Sequence, residues 1–187
     1  GDSTLTGGAG DDTLTGRAGN DTLIGGLGND TLDGGDGSDT ASYVGASGRV
    51  SIYLTNKGPQ GDGDGGKDTL ISIENLIGSR YDDVLSGDEK DNTLIGGAGD
   101  DTLIGGLGND TIIGGDGDDF LGGGAGNDTL VGDAASDVID GDGGNDTLSD
   151  DADNDTINGD GGTDTIHGGD GIDTGISESK ALIKIEN

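Results

Sequence analysis

Apolar residues recur along this chain once in every nine positions. They fall at Leu14, Leu23 and Leu32, and then at Leu85, Leu94, Leu103, Ile112, Leu121, Leu130, Ile139, Leu148, Ile157 and Ile166. That spacing suits neither the 3.6-residue stripe of a helix nor a long alternating strand. Between these positions lie glycine-rich segments such as GGAGDD (96–101) and GGLGND (105–110). They are poor helix interior, where each Gly costs about 1 kcal/mol. The pattern predicts a six-residue turn followed by a three-residue strand, with Thr outward, Leu or Ile inward and the next residue outward.

Between 43 and 77 the period breaks. GRVSIYLT (48–55) alternates Val50, Ile52 and Leu54, which predicts a longer strand with one buried face. NKGPQGDGDGG (56–66) reads as a loop and holds the only proline. GDGGKDTLI (63–71) restores one nonapeptide, and SIENLI (72–77) predicts a second strand leading into the next run.

Composition makes the repeat more than a curiosity. Of 187 residues, 45 are Gly, 39 are Asp or Glu and 8 are Lys or Arg, for a formal charge of −31. Leu, Ile, Val and Phe are about a fifth of the chain, at the edge where composition alone predicts disorder. With no Trp or Met and a single Phe, a core of large side chains is excluded. If the chain folds, something other than burial must offset roughly 1–2 kcal/mol of backbone entropy per residue. Without Cys there is no disulfide framework and no thiolate metal site. No apolar run approaches the roughly 20 residues of a membrane-spanning helix. An acidic excess of this size repels nucleic acid and anionic membranes and attracts cations.

Written in nines from Gly7 and from Gly78, the chain yields units such as GRAGNDTLI (16–24), GGLGNDTLD (25–33), GGAGDDTLI (96–104) and GGAGNDTLV (123–131). Positions 1, 2 and 4 are mostly Gly, position 6 nearly always Asp, position 7 usually Thr, and position 8 Leu or Ile. These units resemble the G-G-x-G-x-D-x-U-x nonapeptide of the repeats-in-toxin (RTX), or hemolysin-type, calcium-binding family. The resemblance implies an all-β fold, a parallel β-roll in which two nonapeptides make one 18-residue coil. Units eighteen apart then stack at roughly 4.8 Å. Carried over, Asp83, Asp101, Asp119, Asp137, Asp155 and Asp173 line one edge of the second run. Asn92, Asp110, Asp128, Asp146 and Asp164 line the other. In the first run Asp12 pairs with Asp30 and Asp21 with Asp39. These fourteen Asp residues are the expected calcium ligands, for about ten ions.

The chemistry agrees with the resemblance. Carboxylates stacked at under about 5 Å repel unless a cation lies between them. Calcium takes six to eight oxygens at about 2.3–2.6 Å, so backbone carbonyls must join the two side chains, and Gly permits the φ > 0 turns that expose them. Magnesium fits such a cage poorly, zinc lacks its ligands, and neither DGDGGKD (62–68) nor DADND (151–155) continues as an EF-hand loop. Asn at position 5 (Asn20, Asn29, Asn109, Asn127, Asn145) is expected to cap its own turn. Three units depart from the pattern: GDEKDN (87–92) carries Lys90 and Asn92, GDAASD (132–137) carries Ala135, and DDADND (150–155) has no glycine. The last two lie on one edge, which predicts weaker ion binding at Asp137 and Asp155.

The expected layout is a first β-roll run over 1–42 and inserted strands over 43–77 that can cover the roll's core. A second run over 78–176 follows, then a terminal strand over 177–187. Gly1-Asp2-Ser3 begins in mid-pattern, and ALIKIEN (181–187) aligns with TLISIEN (69–75). Both features predict a piece of a larger protein, the second opening a further block. The resemblance further implies a calcium-binding structural module of a secreted or cell-surface bacterial protein exported by a type I system, its partner being the rest of an exoenzyme, toxin or adhesin. Catalysis in this segment is not expected: the sole His167 stands at an outward ninth position, and neither H-E-x-x-H nor G-x-S-x-G occurs. The competing reading is an adhesion or ligand-binding array for carbohydrate or ice, built on the outward threonines.

Overall fold

A computed structural model of the chain describes the backbone of residues 1–176 and 182–186, in which the regular structure is all β-strand and no helix occurs. Two sheets, of ten and eleven strands, face each other. Consecutive strands alternate between them, as Thr93–Ala98, Thr102–Leu107 and Thr111–Asp116 do. One coil therefore consumes two nonapeptides, and the residue stacked on any given one is eighteen away. Leu94 pairs with Ile112 and Ile112 with Leu130 in the first sheet. Leu103 pairs with Leu121 and Leu121 with Ile139 in the second. The pairing is parallel, as the β-roll requires.

Most regular units form strands of six residues rather than the expected three. In Thr93–Ala98 the pairing runs past Ile95 to Gly97 opposite Gly115 and Ala98 opposite Asp116. The turn shrinks accordingly. Glycine at the second position makes this possible: Gly115 has φ 118, and a Cβ there would collide with the carbonyl oxygen of Gly97. Seven non-glycine residues among those described are left-handed, four of them at the second position (Arg17, Asp133, Asp142 and Asp160) and two at the fourth (Ala135, φ 84, and Asp153, φ 83), each at a cost of roughly 1–2 kcal/mol.

The core is a single file of aliphatic side chains from each sheet. Leu23, Leu32, Leu85, Leu94, Leu103, Ile112, Leu121, Leu130, Ile139 and Leu148 are all 0% exposed. Alternation supplies the rest of the section: outward Thr, inward Leu, outward residue, inward Gly. With one large side chain per nonapeptide, this core is thin.

The insertion lengthens the sheets and contributes its own buried side chains to the core. Three of its strands, Ser51–Tyr53, Gln60–Gly61 and Lys67–Ile71, join the second sheet. Lys67–Ile71 stacks on Thr31–Asp36 through Leu32 and Leu70, as a regular unit would. Gln60–Gly61 then pairs antiparallel with both Lys67–Ile71 and Ser51–Tyr53, the only antiparallel pairs among the described residues. The first sheet meanwhile passes directly from Thr40–Ser42 to Asn75–Ile77, with Ala41 opposite Leu76. The strand expected over 48–55 is confined to Ser51–Tyr53, although Val50, Ile52 and Leu54 are buried as their alternation requires. With Tyr43, Ala46, Leu70, Ile73 and Leu76 they make the widest part of the core. Beyond 176, Leu182–Glu186 pairs with Thr165–Asp170 in the first sheet. The remainder of the expected terminal segment lies outside the described residues.

The file of aliphatic side chains yields a first prediction. In saturating calcium, Leu121→Ala is expected to cost about 2–5 kcal/mol in denaturant unfolding, the usual range for a fully buried Leu.

Candidate metal centre

Each position-6 residue sits where a turn enters a strand, two residues before the buried Leu or Ile. Twelve of the fourteen expected ligands are buried there; Asp12 and Asp173, near the ends of the described stack, are half-buried. Each column is stitched by one recurring bond, in which a backbone N–H donates to the Oδ1 of the same position one coil later. Along the first edge, Asp83 donates to Asp101, Asp101 to Asp119 and Asp119 to Asp137, each at 2.7 Å. Asp137 donates to Asp155 at 3.1 Å and Asp155 to Asp173 at 3.3 Å. Along the second, Asn92 donates to Asp110 and Asp110 to Asp128 at 2.7 Å. Asp128 follows to Asp146 at 2.8 Å and Asp146 to Asp164 at 3.0 Å. Asp12 to Asp30 (2.8 Å) and Asp21 to Asp39 (2.7 Å) complete the pairs of the first run.

The second carboxylate oxygen is the informative one. In thirteen of the fourteen, all but Asp83, Oδ2 is buried and accepts no hydrogen bond. A buried anionic oxygen without a partner is costly, and a whole row of them is foreign to a structure that is complete as it stands. The neighbouring space is shaped to match. A Cβ placed on Gly123 would lie 2.5 Å from Asp128 Oδ2 and 2.9 Å from the carbonyl oxygen of Gly141, one coil on. Gly78, Gly96, Gly105 and Gly114 stand in the same relation to their own Asp or Asn and to the next coil's carbonyl; Asp83 and Asn92 belong to this set by position only. The first-position glycine thus leaves open a cradle walled by a carboxylate and a carbonyl. This all-oxygen donor set fits a hard cation such as calcium.

The electrostatics point the same way. Burial, with the like charges of column neighbours added, pushes Asp101 and Asp119 up to about 7, against the lowering effect of their N–H bonds. Burial likewise pushes Asp110, Asp137 and Asp146 up to about 6.

Some residues stand apart from the expected pattern. Asp83 has donors on both oxygens, Val50 N–H and Ser79 on Oδ1 and Ser79 N–H on Oδ2. The columns also contain residues missing from the expected ligands. Asp30 N–H donates to Asp68 at 2.9 Å and Asp39 N–H to Glu74 Oε2 at 3.1 Å. Both were detectable as acids two residues before a buried Leu, Leu70 and Leu76. At Glu74 the chain brings its own cation: Lys90 Nζ lies 2.6 Å from Oε1. Asn92 closes the same coil by donating to the Glu74 carbonyl at 2.8 Å. Asp62, in the insertion, also keeps a free buried Oδ2. The position-5 residues do not cap their own turns. Their side-chain oxygens accept from the next coil, as in Asn127 N–H to Asn109 and Asn145 N–H to Asn127, both at 2.8 Å. The stacking distance that brings the aspartates together also brings these amides within reach.

Fold and edges together define a class, a parallel β-solenoid whose turns align oxygen sites for hard cations. The family model of the RTX calcium-binding nonapeptide repeat matches four copies, at residues 6–41, 77–112, 113–148 and 140–174. The chain belongs to that family. Among curated proteins none matches this chain. It is a calcium-binding structural repeat module, and the stretch outside the matches, 42–76, includes the antiparallel strand and its neighbours.

The raised carboxyl values fix a pH dependence for the metal-free chain. The folded state holds more protons than the unfolded one between about pH 4 and about pH 7, so its stability falls as pH rises through that window. In chelator, circular dichroism is expected to show more β-structure at about pH 5 than at about pH 8. The opposite order would contradict the burial of these carboxylates.

Proposed function

We propose that this chain is the calcium-driven folding module of a larger secreted protein, an exoenzyme, toxin or adhesin exported by a type I system. It remains unfolded in the low-calcium cytosol and winds into a roll outside the cell. The observation that carries this reading is the row of partnerless Oδ2 atoms at the coil edges. Ten stacked pairs have a free Oδ2 on both members. Six run along the first edge: Asp12/Asp30, Asp30/Asp68, Asp101/Asp119, Asp119/Asp137, Asp137/Asp155 and Asp155/Asp173. Four run along the second: Asp21/Asp39, Asp110/Asp128, Asp128/Asp146 and Asp146/Asp164. One ion per pair gives about ten, which would cancel 20 of the 31 negative charges.

Folding then follows from mass action. Each ion that binds only the wound state adds RT ln(1 + [L]/Kd), and ten such contributions add a stabilisation of the same order as the file of aliphatic side chains supplies. The runs 1–42 and 78–176 carry all but one of the paired ligands, Asp68 being the one in the segment between them. The segment 43–77 joins them with a wider apolar core and the Glu74–Lys90 pair.

Two experiments test the reading. Circular dichroism of the full chain at about pH 8, where the edge carboxylates are ionised, is expected to show coil in chelator, β-structure in millimolar calcium and little response to magnesium; order that survives exhaustive chelation at that pH would sink the proposal. Gly123→Ala fills one cradle at a position whose backbone tolerates a side chain. Calorimetric titration should then count one calcium fewer than in the unaltered chain, and an unchanged count would remove Asp128 from the ligand set.

A further inference from the structure

The one unit without turn glycines, DDADND (150–155), holds a feature seen nowhere else among the described coils. Asp150 takes the first position, which in the neighbouring units of its edge is Gly114, Gly132 and Gly168. At Gly114 the cradle wall contributed by the next coil is the carbonyl oxygen of Gly132. At Gly132 it is instead the Asp150 side chain, whose Oδ2 would be 2.5 Å from a Cβ placed there, beside Asp137 Oδ2. Asp150 is 2% exposed. Its Oδ1 accepts the Asp151 N–H at 2.8 Å, while its Oδ2 has no partner. Asp137 and Asp155 are equally buried, and each also keeps a free Oδ2. One carboxylate oxygen from each of the three lies within 4.8 Å of the others.

We propose that Asp137, Asp150 and Asp155 form a three-carboxylate cation site, distinct in charge from the two-carboxylate sites elsewhere in the stack, that fills first with calcium and prefers trivalent lanthanide ions most strongly. The inference rests on the calcium reading of the edges and departs from the expectation that this edge binds weakly. In place of a glycine the chain carries a side chain here, and that side chain adds to the cradle an oxygen that carries charge. Two carboxylates balance a divalent ion; three balance a trivalent one. Ligand charge count is a principal determinant of affinity for hard cations, and each additional buried anion raises the attraction for the ion. The trio of exposed Asp142 and half-buried Asp140 and Asp160 also gathers three carboxylates, but it has no buried partnerless oxygen and serves as the comparison.

The test is calorimetric titration of the full chain with calcium and, separately, with lanthanum. The unaltered chain should show one step tighter than the rest, more widely separated for lanthanum. Asp150→Asn keeps the shape and removes the charge; Asp150→Gly restores the residue of the regular units. Both should lose the separate step, with affinity at that site falling at least about tenfold, while Asp160→Asn keeps it. Circular dichroism in saturating calcium checks that each variant still winds. A separate step retained in both Asp150 variants, or a uniform titration of the unaltered chain, overturns the proposal while leaving the calcium module intact. Absence of any calcium binding would overturn the module reading along with it.

Discussion

Like charges stacked one strand spacing apart govern this molecule. The ladder of a parallel sheet fixes the separation between coils, and the nonapeptide period places an aspartate at the same point of nearly every coil. Backbone N–H groups satisfy one oxygen of each carboxylate. Among the described residues nothing satisfies the other in thirteen of the fourteen expected ligands, Asp83 being the exception. A two-sheet roll with so little apolar side chain per residue has no reserve to absorb that cost. The family's calcium-binding repeat accounts for such edges, and the proposed calcium-driven folding rests on this cost.

Most other features serve this constraint. Glycine at the first position keeps the cradle open, and glycine at the second and fourth lets the backbone turn left-handed while adjacent coils approach closely. The side-chain oxygens of position 5 point their hydrogen bonds one way along the stack and those of position 6 the other. Each turn is thereby tied to both neighbours by side-chain-to-backbone bonds, in addition to the strand ladders.

The exceptions obey the same electrostatics. Where Glu74 replaces aspartate, the Lys90 ammonium supplies the positive charge and the Asn92 amide closes the coil. Asp83 is quieted by Val50 and Ser79. Both lie against the widened core of the insertion, which gives this part of the chain a more conventional source of stability. Asp150 is the converse case, a further buried negative charge placed where charge is already concentrated.

The inward Leu and Ile file was legible from the nine-residue period itself, and the parallel roll and the two acidic columns from the family resemblance that the period carries, because a strict period maps sequence position directly onto spatial position once the coil length is known. Asp68 and Glu74 were legible in principle, each standing two residues before a buried Leu, but the broken period around them hid their place in the columns. What the sequence could not settle was everything that depends on which residues meet across coils. The six-residue strands arise because glycine backbones pair after the coils have closed up. The insertion extends the second sheet because Gln60–Gly61 finds two strands to pair with. The direction of the Asp150 side chain likewise became decidable only once Gly132 lay beneath it. Periodicity constrains one dimension; contacts eighteen or more residues apart, and the charges they bring together, belong to the folded chain.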